Sequence, residues 1–221
     1  MKYHENYYHQ NDVIKLGKLL TSKTEIQHIL RAWAAISLAF AIMLSGTHFS
    51  DLFSFNFSQR FLYTLLTAAI TVGLGFLLHE LGHKIVAQHY RCWAEFRADN
   101  QMLALAVIMS FLGFIFAAPG AVMIAGNVNA RKNGLISAAG PLVNLALAMI
   151  FLLLIFIFPV AGLLGISYYG FIINSWLGLF NMLPFGNFDG AKIFRWNKFV
   201  FGTMIGIAIL LMVAQNFLFR I

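Results

Sequence analysis

The chain has 221 residues, 60% of them hydrophobic and 10% charged, with a mean hydropathy of +0.78 and a net charge of +7. Soluble domains carry about 25% charged residues, so the composition excludes an ordinary soluble domain and points to a polytopic membrane protein with a helical core. The basic excess is accounted for by residues flanking the spans, so no nucleic-acid partner is expected, and the single cysteine, Cys92, excludes a disulfide framework or a Cys-based zinc site within one chain.

The first 28 residues are polar and mixed, with no apolar core of a signal peptide. Residues 1–28 are expected to form a polar cytoplasmic tail and residues 29–221 a membrane-embedded core. Weak periodicity over Val13–Leu20 predicts a short surface helix. The tail is given no catalytic role, and His4, His9 and His28 in it are expected to be solvated.

Apolar runs follow at about Leu30–Phe49, Phe61–Ala87, Met102–Ala118, Leu135–Phe158, Val160–Met182 and Phe199–Phe219. Each is near the length needed to cross roughly 30 Å of hydrocarbon. The expected fold is therefore all-α and polytopic, with five to six transmembrane helices and a small re-entrant or β-hairpin segment. The third run decides the count. If it crosses fully, Lys and Arg split nine inside to six outside. If Met102–Ile124 dips in and returns, only Arg60 and Arg220 remain outside and thirteen basic residues lie inside. The positive-inside rule favours the second arrangement, in a cell membrane with a cytoplasmic N-terminus. Cys92–Phe96 and Ala121–Ile124 are candidate short strands bordering that excursion, and Pro119-Gly120 punctuates it.

Within the second run stands His79-Glu80-Leu81-Gly82-His83. On a helix the two histidines lie one turn apart on one face, about 6 Å along the axis. That spacing lets two imidazoles grip one zinc ion, with Glu80 placed as general base. Charges in a span cost about 2.5–3.5 kcal/mol each on insertion scales, so an intramembrane glutamate marks a functional site.

A catalytic zinc site takes a third protein ligand. The chain has eight acidic residues, so elimination is informative. Glu5, Asp12 and Glu25 fall in the tail, Asp51 lies on the far side, and Glu95 and Asp99 read as solvated partners of Arg91 and Arg97. Asp189 remains, in a stretch where Pro184, Gly186 and Gly190 break the helix and let a carboxylate turn inward. A bare Asp-Gly is otherwise a turn signal. His89 is the rival ligand, six residues past His83 but off its face. Asn144 and Asn174 read as interhelical hydrogen bonds, Lys84 as a side chain snorkelling to the surface, and Trp33, Trp93, Trp176 and Trp196 as interface anchors.

Together, His79-Glu80-Leu81-Gly82-His83, the later Asn181-x-x-Pro184-x-x-x-x-Asp189-Gly190, and Ser137-Ala138-Ala139-Gly140-Pro141-Leu142-Val143-Asn144 between them resemble the site-2 protease family of intramembrane zinc metalloproteases. The third stretch resembles that family's Gly-Pro helix start. Phe188 departs from the aliphatic residue often found before Asp-Gly. The resemblance implies one zinc per chain held by His79, His83 and Asp189, with Glu80 activating water and Asn181 positioning substrate or stabilising the oxyanion. It also implies that a strand, here Ala121–Ile124, pairs with unfolded substrate. The implied substrate is a single-span membrane protein in the lipid bilayer, cut within or near its span in regulated intramembrane proteolysis. Two other functions compete, a zinc or metal transporter and an inactive membrane chaperone on the same scaffold. Against a transporter, the sequence has no internal repeat; against a dead scaffold, none of the expected site residues is missing. Oligomeric state is not legible in the sequence.

Overall fold

Segments crossing lipid must satisfy their own backbone, and helices do so within one segment. The structure, a computed structural model, describes residues 13–47, 59–115 and 119–218. It opens not with the expected surface helix but with a hairpin, β1 (Val13–Leu16) and β2 (Leu19–Ser22), paired antiparallel with Ile14 opposite Thr21. The turn decides against the helix, because Gly17 takes a φ of 62°, open to glycine and foreign to a helix.

Helix α1 (Lys23–Ser45) follows directly, its N-terminus capped by Ser22, whose hydroxyl accepts from Glu25 N–H. Helix α2 (Gln59–Ala68), a π-helical turn (Ala69–Gly73) and helix α3 (Leu74–His89) make one continuous 31-residue span. Trp33 is turned inward here and donates to the Ala69 carbonyl at 3.1 Å. It therefore stitches α1 to the π turn instead of serving only as an interface anchor.

Strand β3 (Trp93–Ala98), helix α4 (Asn100–Ser110) and strand β4 (Gly120–Ala125) make the excursion after α3. Eleven helical residues reach about 16 Å, too short to cross. The strands pair antiparallel with Phe96 opposite Val122, which closes the excursion on the side where it began. Helices α5 (Ala130–Ile157), α6 (Ala161–Asn181), α7 (Asp189–Trp196) and α8 (Lys198–Leu218) complete the described chain. Five helical spans, α1, α2–α3, α5, α6 and α8, are long and apolar enough to cross. The protein is an all-α multi-pass membrane protein, with Leu66, Phe156 and Leu210 among the large apolar side chains left on its outer surface. Gly140-Pro141 does not start a helix: α5 begins at Ala130 and Pro141 lies inside it.

The ends that matter converge. Leu20 N–H donates to Gln88 Oε1 at 3.0 Å and Gln88 Nε2 donates to Leu20 O at 2.8 Å, so the hairpin sits at the C-terminal end of α3. Gly82 lets α5 approach α3 closely; a Cβ there would meet the Ala139 carbonyl oxygen and Val143 Cγ2, each at 3.1 Å. Gly82→Val is expected to destabilise the bundle by about 1–3 kcal/mol through overpacking, read as a lowered melting temperature in detergent.

Candidate metal centre

Helix α3 carries His79 and His83 on the face turned to α5, and both are buried. Each ring is fixed by its Nδ1. That of His79 contacts Asn144 Oδ1 at 2.6 Å, and that of His83 contacts the Ile136 carbonyl at 2.7 Å. A carbonyl oxygen only accepts. The Asn144 oxygen is assigned by its amide nitrogen, which donates to Gly75 O and Asn174 Oδ1, each at 3.1 Å. Both Nδ1 atoms therefore carry the proton, and both Nε2 atoms present lone pairs.

Those Nε2 atoms lie 3.0 Å apart. Asp189 Oδ2 approaches them at 3.4 Å from His79 and 3.1 Å from His83. The carboxylate is delivered by the first residue of α7. It is held there because Gly190 packs onto the Met182 carbonyl with no room for a Cβ, and because Gly186 turns the preceding loop at a φ of 60°. Asp189 is buried, and its other oxygen, Oδ1, lies 3.4 Å from Lys192 Nζ, which leaves Oδ2 to face the imidazoles.

Three acceptors thus converge with no proton assigned between them. A small divalent cation resolves that repulsion, and two imidazole nitrogens plus one carboxylate oxygen are the donors a catalytic zinc takes. Among the described residues this is the one group of three or more His, Cys, Asp or Glu side chains arranged to hold a metal. Gly140 lines it, and a Cβ there would collide with both Nε2 atoms.

The other expected site residues are distributed as follows. Glu80 is half-buried beside the histidines and its Oε2 accepts from Val122 N–H at 3.1 Å. The Asn181 amide donates to Leu177 O at 2.9 Å, within its own helix, and bonds to none of the three ligands. His89 stacks edge-on against Tyr90 and stays outside the set. Glu95 is not solvated: it is buried, accepting from Ser22 Oγ at 2.6 Å and pairing with Arg97. Asp99 caps α4. His28 accepts from Ala98 N–H at 2.9 Å, and Asp51, His4 and His9 lie outside the described residues.

Sequence reasoning missed the Ile136 carbonyl, which has no sequence signature, and Gly140, whose smallness is what counts. Asn144 is interhelical glue as expected and also orients His79. Its position one turn after Gly140, on the same helix face, is the signal that could have linked it to the metal.

Five lipid-crossing helices around a buried pair of histidines and an aspartate define a membrane-embedded metalloprotein. Over 155 residues the chain is 42% identical to a protein of Methanocaldococcus jannaschii named "Putative zinc metalloprotease", a match covering 69% of this chain and 81% of the other. The chain belongs to the zinc metalloprotease family of that relative, and zinc is its metal. No protein-family model matches the chain, and no solved structure matches it.

Asn144→Leu leaves the His79 Nδ1–H without an acceptor. Zinc affinity, measured by competition with a chromogenic chelator, is expected to fall about 10–100-fold.

Proposed function

We propose that this metalloprotease is of the site-2 type and cuts peptide bonds within or near the transmembrane segments of single-span membrane proteins. The observation that carries the reading is the contact between Glu80 Oε2 and Val122 N–H, which sets the base directly against the edge of β4.

The alternation of an antiparallel pair makes Phe96 and Val122 a non-hydrogen-bonded pair, with their peptide groups turned out of the sheet. The outer edge of β3 is closed by side chains. Gln88 donates to Ala94 O, Glu25 accepts from Phe96 N–H, and His28 accepts from Ala98 N–H. The edge of β4 is the one left for an incoming strand, and it runs past the base. A helical peptide bond is shielded by its own hydrogen bonds, so a substrate span has to unwind, and an added strand satisfies the backbone it exposes. An apolar cavity of about 810 Å³ lies between α1, α4 and α6, and its wall includes Phe76, Phe180 and Phe188, each within three residues of a site residue. Its apolar character suits a hydrophobic segment.

In this reading His79, His83 and Asp189 hold the zinc, which supplies the Lewis acidity that makes a water nucleophilic near neutral pH and polarises the carbonyl. Glu80 accepts the proton of the attacking water and returns it to the leaving amine nitrogen. Asn181 has one amide N–H on Leu177 O and a second left to donate to the developing oxyanion. The thirteen-to-two distribution of basic residues orients the N-terminus and the catalytic end toward the cytoplasm of a cell membrane.

Purified protein with stoichiometric zinc is expected to release fragments of a single-span substrate with time, and Glu80→Gln to keep its zinc while cleaving about 10²–10⁴-fold more slowly. Retained cleavage in that variant, or zinc flux into liposomes without cleavage, overturns the reading.

A further inference from the structure

Lys84 follows the second histidine of the motif, and its ammonium is not at the surface: it is buried and paired with Glu25, which is fully buried. Glu25 therefore belongs to the core and not to a polar tail. Its Oε2 also accepts from Thr21 Oγ1 at 2.6 Å, and its Oε1 accepts from Phe96 N–H at 2.9 Å. Phe96 is the partner of Val122, and Val122 N–H donates to Glu80. A single rung of the sheet is thus gripped by two carboxylates, Glu25 of α1 from the β3 side and Glu80 of α3 from the β4 side. Lys84, one turn after Glu80 on the same helix, closes the ring by pairing with Glu25. Both carboxylates and Lys84 border the same small cavity of about 30 Å³.

We propose, resting on the proteolytic reading above, that Glu25 is a positioning residue for the base: it anchors the Phe96–Val122 rung, and that rung fixes the Glu80 carboxylate. Lys84 supplies the counter-charge that lets an ionised carboxylate occupy this buried place. The geometry gives Glu25 no other access to the reaction, since it bonds to none of the metal ligands. Its acceptor atom is what matters. A base held by one N–H keeps one rotamer, while a rung free to shift lets the carboxylate wander by about an ångström, a displacement worth up to about 100-fold in rate.

The test compares two double variants that both abolish the buried ion pair, so that neither leaves a lone charge. E25Q/K84M keeps an acceptor for Phe96 N–H, and E25L/K84M removes it. With zinc content near one per chain and similar melting temperatures, kcat on a single-span substrate is expected to fall 10–100-fold in E25L/K84M. E25Q/K84M is expected to stay within about threefold of wild type, with KM little changed in both. Equal kcat in the two variants, an equal loss in both, or a change confined to KM overturns the proposal. Amide exchange at Val122 gives a readout that does not depend on cleavage, and it is expected to quicken at least tenfold in E25L/K84M; unchanged exchange overturns the proposal. If E25L/K84M does not accumulate, the wild-type amides of Phe96 and Val122 decide. Protection like that of the ladder amides of Ala121 and Met123 supports the proposal, and exchange like an unpaired edge overturns it. Failure of the proteolytic reading is distinct, because it appears as zinc-loaded wild type that cleaves nothing, or as Glu80→Gln that still cleaves.

Discussion

Three acceptor atoms facing one another inside the helix bundle are the constraint on which the rest of the architecture depends. His79 Nε2, His83 Nε2 and Asp189 Oδ2 converge with both imidazole protons committed to the far side of their rings. Buried acceptors in mutual contact are unfavourable by several kcal/mol unless a cation joins them. Folding of this end of the bundle and zinc binding are therefore linked, as they are wherever a metal site is assembled only in the native state. The linkage dictates topology as well. Asp189 reaches the histidines only if the chain between them crosses an even number of times, and α5 and α6 supply two crossings once the 92–125 excursion returns to its own side.

The excursion does more than preserve parity. A two-stranded sheet at a membrane surface has two open edges, each a liability for unwanted pairing. Here one edge is closed by Gln88, Glu25 and His28, all side chains of the spans α1 and α3. The other edge meets Glu80 at one backbone N–H. Asymmetry between the edges, not the mere presence of a strand, gives the site a direction of approach.

The parts of this arrangement legible in the sequence are those set by side-chain identity at fixed spacing. The His79/His83 pair is fixed by one helical turn, and Asp189 emerges because so few acids were available. The short crossing-incompetent α4 and its flanking strands followed from where Lys and Arg fall. What was not legible depends on tertiary placement. The hairpin over 13–22 has its apolar residues at Val13, Ile14, Leu16, Leu19 and Leu20, without the strict alternation of a strand, and it is held by Gln88, 68 positions away from Leu20. Lys84 looked like a snorkelling side chain because its partner, Glu25, lies 59 residues upstream in a segment that composition marks as polar. Gly140-Pro141 read as a helix start through its resemblance to the family's stretch, yet α5 continues through it. Pro141 removes one ladder bond, to the Ser137 carbonyl, within the turn that presents Gly140 to the imidazoles and the Ile136 carbonyl to His83.

The charges around the site form two paired groups. Asp189 faces the two imidazoles with Oδ2 and Lys192 with Oδ1, while Lys84 and Glu25 pair with one another. In a medium of low polarity a neutral cluster is tolerated where an isolated charge is not. Lys84 can stand buried beside His83 because its charge is matched by Glu25. Glu25 and Glu80 also hold the two N–H groups of the Phe96–Val122 pair, one on each strand, and with Lys84 they line one small cavity. The ladder that pairs β3 with β4 on either side of those residues therefore keeps the two carboxylates in register with one another.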